Sequence, residues 1–355
     1  MMKNKYQQIF NQLQQEKDNK PSDVNDHIML FDGLNTFIRA FGATPSTNED
    51  GEHIGGITGF LFSIGKAIRD FKPSRCVIVF DGRGGSARRK KIYGDYKANR
   101  ANKTRLRRHD HQNYTSIEDE QEAMRWQFSR LVSYLDNLPV TFISIDGIEA
   151  DDTIAYITQM YQDISKKITI VSTDRDFYQL VDDTVQIWSP IKKKMYDTAA
   201  VLEEFGVHPQ NYVMYRTFTG DKSDNIPGVD GFGPKTILKA LPELADAEEF
   251  TLEMMQDKCK GKILLNETRN YEKILQNFDI IEKNYQLMNI KLLNIPAQNC
   301  STIRGIMQQP ISTMNKMEFQ RLFMQDKMWT TMKNLPDWLN NTWLSLNAFA
   351  MQTHK

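Results

Sequence analysis

The chain has 355 residues, balances 45 Lys+Arg against 45 Asp+Glu, and is 40% hydrophobic and 25% charged, which specifies a folded protein of two or three domains and excludes a disordered one. No apolar stretch approaches the ~18 residues of a membrane span, and the polar, Gln-rich start MMKNKYQQIFNQLQQEKDNK lacks the apolar run of a secretory signal. Cys76, Cys259 and Cys300 are too few and too scattered for a disulfide framework or a zinc site, and fit a reducing, cytoplasmic setting.

In chain order, residues 1–25 read as a polar helix and linker. Five short apolar runs follow, His27–Phe31, Cys76–Phe80, Val140–Ile145, Ile168–Val171 and Val185–Trp188, each of strand length and rich in Val, Ile or Phe. Most are separated by amphipathic helical segments, around Gly59–Phe71, Glu120–Leu138 and Asp151–Ile164. This alternation predicts an α/β core over 26–200 with a mostly parallel central sheet flanked by helices. Residues 201–300 read as short helices broken by Gly and Pro, and 301–355 as a helical C-terminal segment.

Acidic residues fall at the strand ends. Asp32 closes IMLFD and Asp81 closes VIVFD; Glu149, Asp151 and Asp152 follow the third strand in ISIDGIEADD; Asp174 and Asp176 follow the fourth in IVSTDRD. In a parallel sheet those ends lie along one edge, where ligands bind. GDKSDN, read as helical, adds Asp221 and Asp224 three residues apart on one face. A single Asp after a strand is usually a helix N-cap, but this many converging carboxylates would repel one another or take up protons. Divalent cations resolve that repulsion. Oxygen ligands without His or Cys select Mg²⁺ or Mn²⁺, and the number of acids predicts two ions, as in phosphodiester hydrolysis.

The neutral total hides an asymmetry, since Arg83–His109 holds eleven Lys/Arg and one acid, Asp95. Such a run is commonly a solvated face. Here it starts directly after Asp81, at the same sheet edge, and carries Tyr93 and Tyr96. Arg88, Lys90, Lys91 and Arg100 are placed to bind phosphates, and the tyrosines to stack on a displaced base. An acidic metal site beside a cationic feeder reads as a nuclease.

GVDGFGPKT (Gly228–Thr236) approaches the spacing of a nucleotide-binding P-loop, but Pro234 separates Gly233 from Lys235 and no strand precedes it. Helix, Gly-rich turn, helix fits better, with the first helix over Lys222–Ile226 and the second over Lys235–Leu241. Gly228, Gly231, Gly233, Lys235 and Thr236 would then form a non-specific phosphate cradle.

DGLN at Asp32, FDG at Asp81, GIEADD at Gly147–Asp152, STDRDFYQL at Ser172–Leu180 and GDKSDNIPGVDGFGPKT at Gly220–Thr236 occur in this order. Over residues 26–240 the set resembles the 5′-nuclease superfamily: flap endonucleases, the 5′-nuclease domain of DNA polymerase I, and bacteriophage 5′–3′ exonucleases. WSPIKKK (Trp188–Lys194) is similar to the T4-type phage ribonuclease H branch, which fits a free-standing phage nuclease, although the intact hairpin departs from that branch. The resemblance implies a PIN-like 5′-nuclease fold with a helix-hairpin-helix. It implies Asp32, Asp81, Glu149 and Asp151 as ligands of a first metal, with Asp152 nearby, and Asp174, Asp176, Asp221 and Asp224 as ligands of a second. It implies Arg89 and Lys97 as the basic pair at the scissile phosphate, residues 83–125 as an arch over the site, and a K⁺ ion at the hairpin.

The implied substrates are 5′ flaps, 5′-ended duplex DNA and RNA/DNA hybrids, cut by a monomer to 5′-phosphate and 3′-hydroxyl ends in replication or repair. A PIN-type ribonuclease lacks the basic arch and hairpin, and a non-catalytic junction-binding module would have lost acids; these are the competing readings. The C-terminal part holds ten of the seventeen Met and three of the five Trp at or beyond Met254. That reads either as helical core or as a docking surface for a single-stranded-DNA-binding or other replication protein.

Overall fold

The computed structural model describes residues 22–102, 114–266, 269–292 and 295–354. Most of the expected N-terminal helix, and residues 103–113 of the expected arch, lie outside them. Six strands form one sheet: β1 (His27–Asp32), β2 (Arg75–Asp81), β3 (Thr141–Ile145), β4 (Lys167–Val171), β5 (Val185–Ser189) and β6 (Lys194–Tyr196). Their order is β3-β2-β1-β4-β5-β6; the first five are parallel and β6 runs antiparallel at the edge. The five apolar runs are therefore the five parallel strands. The sixth is three residues long within the polar KKKMYD and gives no hydrophobic signal.

Alternation along the strands sorts the core into two layers. Ile28, Leu30, Val77, Val79, Ile168 and Ile170 face helix Ala150–Tyr161 and the helical region, joining one buried cluster that runs on through Val207, Phe218, Ile237, Ile274 and Ile303. Met29, Phe31, Cys76, Ile78 and Phe80 face helices Gly33–Ala43, Gly55–Phe71 and Ile117–Leu135. Phe319, Leu322, Leu339, Trp343 and Leu346 belong to this second cluster, so the C-terminal segment supplies core to the opposite face of the same sheet.

In the order 3-2-1-4-5 the sense of the connections reverses between β1 and β4, which opens a crevice at the carboxyl ends of those strands. No helix among the described residues is long and apolar enough to cross a membrane.

Candidate active site

Asp32, at the end of β1, accepts a hydrogen bond from the Asn35 N–H at 3.2 Å and so caps helix Gly33–Ala43; it also accepts from the Ser172 hydroxyl at 3.2 Å. Asp81, at the end of β2, accepts from the Ala150 N–H at 2.8 Å, at the first turn of helix Ala150–Tyr161. Asp174, beyond β4, accepts from the Asp176 N–H at 2.9 Å. Capping is thus part of what these acids do. It does not neutralise them: among the described residues none of the three has a basic group within salt-bridge distance, and Asp32 feels a nearby cation, the Arg39 guanidinium that lines the cleft they share. Burial, with the Asp81 carboxylate adding to it, raises Asp32 to about 6. Burial and the neighbouring Asp176 and Asp32 raise Asp174 to about 7. Together with Asp151, Lys97, Arg100 and Asp224 they line a cleft of about 540 Å³.

The other acids are matched by basic side chains. Carboxylate oxygens of Glu149, Asp151 and Asp152 lie within 4.8 Å of one another. The buried Arg89 guanidinium sits among them, 3.0 Å from each Asp152 oxygen and 3.3 Å from Asp151, in contact with Glu149, and donating to the Leu287 carbonyl at 2.9 Å. Burial would raise Glu149, but Arg89 and Lys97 outweigh it and hold it below the ordinary carboxylate range. Asp151 is pushed up by burial and by Asp152 and Glu149, against the pull of Arg89. In the cavity that adjoins this cleft at Asp174, Arg216 donates to Asp176 at 2.9 Å and to Asp221 at 2.5 Å. Burial raises Asp221, but Ser223 and Arg216 more than offset it. Asp224 is bound by Arg100, accepts from the Tyr96 hydroxyl at 3.2 Å, and lies 3.8 Å from the Lys97 ammonium.

Several expectations need correction. GDKSDN is not helical: Asp221 and Ile226 exchange backbone hydrogen bonds of 2.9 and 2.8 Å across a tight loop. Gly220, at φ +65°, ends the preceding helix. The first helix of the hairpin motif is therefore Tyr212–Thr219, not Lys222–Ile226, and the second is Pro234–Ala240. Tyr96 is 2% exposed, with its hydroxyl on Glu149 and Asp224, and is closed to a base. Tyr93 is half-buried beneath the Lys283 ammonium, 4.8 Å from its ring centroid. Arg89 is 8% exposed and faces carboxylates instead of the open cleft.

Lys97 does line the cleft, touching Glu149; burial opposes its charge, but Glu149 and Asp224 prevail and keep it protonated. Lys90, Lys91 and Arg100 are exposed, and Arg88 is half-buried 3.5 Å from Asp152. Gly228 packs on the Phe218 carbonyl, where a Cβ would come within 2.5 Å. Gly231, at φ +72°, and Gly233 are exposed at the turn, with Lys235 exposed and Thr236 half-buried beyond it. Sequence reading passed over Ser172, Asn35 and Arg216. Arg216 lies one helical turn before Gly220, and a basic residue at that spacing from an acidic loop was the available signal.

Asp32, Asp81 and Asp174 line one cleft with oxygen donors only, which is donor chemistry suited to a divalent cation, whereas the carboxylate oxygens gathered within 4.8 Å of one another are those of Glu149, Asp151 and Asp152. Glu149 and Asp152 fit less well while Arg89 holds them.

The sequence matches the family described as "5′-3′ exonuclease, N-terminal resolvase-like domain" over residues 27–206, and "5′-3′ exonuclease, C-terminal SAM fold" over 207–303. DNA polymerase I of Rhizobium leguminosarum is 33% identical over 253 residues, covering 68% of this chain and 23% of the polymerase. The 5′-3′ exonuclease of Aquifex aeolicus is 28% identical over 269 residues, covering 76% of this chain and 81% of that protein. The chain thus spans about a quarter of the polymerase and most of the free-standing exonuclease. Among solved structures, the bacteriophage T5 flap endonuclease, in a pseudo-enzyme–product complex with DNA and metal ions, superposes with a TM-score of 0.58 at 18% identity, covering 85% of this chain and 99% of that one. The T5 5′-exonuclease with bound zinc gives 0.58 at 19%, covering 84% and 98%. These two likenesses establish the fold. With its first 180 matched residues forming the sheet and its acidic edge, the chain belongs to the 5′–3′ exonuclease family.

Proposed function

We propose that this protein is a divalent-metal-dependent, structure-selective 5′ nuclease, acting as a 5′–3′ exonuclease and flap endonuclease on 5′-ended or branched duplex DNA and on RNA primers paired with DNA. The observation that carries the reading is the set of three unneutralised carboxylates, Asp32, Asp81 and Asp174, facing one cleft walled by Lys97 and Arg100. Those three, with Asp151 beside them, would hold Mg²⁺ or Mn²⁺, and the remaining acids would act on a second ion through water. Bound there, the metal supplies Lewis-acid stabilisation of the phosphoryl group and activation of the attacking water.

The chain's own residues divide the remaining work. Lys97 presents a permanent positive charge to the phosphoryl oxygens as negative charge develops on them. Arg100 and the exposed Lys90 and Lys91 draw the strand toward the cleft. The N–H groups of Gly231 and Gly233 have no acceptor within the described residues and are available to duplex phosphates, and a K⁺ ion at the same turn belongs to this reading. Hydrolysis leaves a 5′-phosphate and a 3′-hydroxyl. Contacts of this kind select shape and a free end, with little reading of bases.

The test is incubation with Mg²⁺ or Mn²⁺ and 5′-labelled flap, nicked and RNA-primed duplexes, mapping product lengths, with a chelator control. Cleavage near the junction, abolished by the chelator, is expected. No cleavage of any of the three substrates with either metal defeats the reading.

A further inference from the structure

Arg216 lines the cavity that adjoins the cleft at Asp174. It belongs to helix Tyr212–Thr219, the first helix of the hairpin motif, and its side chain is 8% exposed. Each guanidinium nitrogen has an acceptor: Nε donates to Asp176 at 2.9 Å, Nη2 to Asp221 at 2.5 Å and Nη1 to the Gly220 carbonyl at 3.1 Å. Asp176 comes from the loop after β4, and Asp221 from the loop that leads into the hairpin. One planar fork therefore fixes the separation of two carboxylates from different elements.

The same contacts reach the duplex-gripping turn. Gly220 donates its N–H to the Arg216 carbonyl at 2.9 Å and lies so close to the hairpin backbone that a Cβ would come within 2.5 Å of the Gly228 nitrogen. Gly228 in turn packs on the Phe218 carbonyl, and Val229 donates to that carbonyl at 2.8 Å. Asp176, Arg216, Asp221, Gly220 and Gly228 form a continuous contact path from the acidic edge of the sheet to the hairpin.

We infer that Arg216 is a positioning residue for phosphodiester cleavage: it holds Asp176 and Asp221 in fixed register and joins the acidic edge to the hairpin. This rests on the nuclease reading above. Among the described residues Asp32, Asp81 and Asp174 make no direct contact with Arg216, so it acts on Asp176 and Asp221 directly and reaches Asp174 only through the Asp176 N–H that Asp174 accepts at 2.9 Å. An ordinary core arginine would influence stability alone.

The experiment compares wild type, Arg216→Gln and Arg216→Lys in single-turnover cleavage of a 5′-labelled flap with Mg²⁺, and in Mn²⁺ titration of the DNA-free proteins by calorimetry. Arg216→Gln is expected to slow cleavage at saturating flap by about 10²-fold, shift half-saturating DNA by less than about threefold, and bind Mn²⁺ at least as tightly as wild type, because two carboxylates lose a competing cation. Arg216→Lys, which keeps the charge but cannot bridge both acids, is expected to recover about tenfold of the lost rate.

An Arg216→Gln rate within threefold of wild type overturns the inference. So does a joint loss of rate, DNA affinity and Mn²⁺ binding, which marks a structural residue. Should Arg216→Gln not fold, Arg216→Lys decides alone: a rate about tenfold below wild type at unchanged half-saturating DNA supports the role, and a wild-type rate removes it. A wild type that cuts no flap defeats the nuclease reading itself, an outcome distinct from each of these.

Discussion

The backbone N–H of Lys97 donates to the carbonyl of Asp224 at 2.8 Å, joining the basic segment after β2 to the acidic loop before the hairpin. Asn99 and Asn225 extend the seam, donating to the Lys222 and Asp95 carbonyls at 2.8 Å each. Lys97 itself sits at φ +59°, a left-handed conformation uncommon for a residue other than glycine. The seam thus sets the ammonium at the cleft wall. Lys97→Ala should lower the single-turnover rate at saturating flap by about 10²-fold or more, with affinity much less affected. Equal losses in rate and in affinity, measured by single-turnover kinetics and anisotropy, would return Lys97 to the role of a strand guide.

Arg89 should behave differently, although it lies in the same basic run. Its removal leaves Glu149, Asp151 and Asp152 clustered without the cation among them. Breaking a buried pair in this way typically costs about 3–5 kcal/mol. Arg89→Ala should lower the melting temperature of the metal-free protein by several degrees, while Lys97→Ala leaves it within about two. Added Mn²⁺ should restore part of the Arg89→Ala loss, since a cation can then occupy the vacated position among the acids. Equal melting temperatures for Arg89→Ala and wild type would show that the trio does not depend on its guanidinium.

The central strands β1, β2 and β4 were legible because each is a continuous apolar run buried on both faces, β3 and β5 because they bury alternate apolar residues, and the acids at the strand ends because chain direction places those ends on one edge. What sequence did not carry is the pairing of charges. Arg89 meets its carboxylates, and Arg216 meets Asp176, across long sequence separations, so nothing local marks those acids as already neutralised; Arg216 and Asp221, close in sequence, were the one local signal. Tyr96 failed for a related reason: within a run of Lys and Arg it reads as exposed, yet tertiary packing buries it against Glu149 and Asp224. The loop Asp221–Ile226 was misread as a helix because acids three residues apart suit one helical face, whereas Gly220 at φ +65° had already ended the helix.

Asp81→Asn and Asp174→Asn test the unneutralised acids directly. Either change removes a charged oxygen ligand and keeps the side-chain shape. Cleavage in Mg²⁺ should fall by at least about 10²-fold. Flap binding measured in Ca²⁺ should stay within a few fold of wild type, because the proposed reading assigns affinity to Lys, Arg and the hairpin. Normal cleavage by either variant would remove that acid from the site.

The raised acids also predict how the metal-free protein responds to pH. Asp32 and Asp174 are shifted up to about 6 and about 7, against about 3.9 in an unfolded chain. Between those limits the folded state holds protons that the unfolded state has released. Stability contributed by these groups is therefore present below about pH 4 and is lost as pH rises through their folded values. Relative to wild type, Asp174→Asn should melt less pH-dependently between pH 5 and 8 and at least a few degrees higher at pH 8. Divalent cation at pH 8 should raise the wild type more than this variant. A metal-free wild type with a flat profile and no gain from Asp174→Asn would show that the acids are not confined as the fold places them.

The hairpin should contribute grip through backbone conformation, and its three glycines should not be equivalent. Gly231 sits at φ +72°, where a β-branched side chain is strained, and the nearest atom to an added Cβ is the end of a flexible lysine, Lys273 Nζ at 3.0 Å. Gly231→Val therefore acts on the turn itself and not by crowding. Gly233 has ordinary φ and open space around it, so Gly233→Ala should be tolerated. At Gly228 a Cβ would come within 2.5 Å of the Phe218 carbonyl, so Gly228→Ala should force the hairpin off the helix that carries Arg216. Flap affinity, read by fluorescence anisotropy in Ca²⁺, should weaken for Gly231→Val and Gly228→Ala and stay near wild type for Gly233→Ala. The loss should be similar for unrelated DNA sequences, because phosphate contacts carry no base information, and wild-type binding should weaken with added salt. At saturating flap, Gly231→Val should regain most of its cleavage rate, whereas Gly228→Ala should not, because it also disturbs the path through Gly220 to Arg216. Wild-type affinity in both weakened variants would place duplex recognition in the exposed cations after β2 instead.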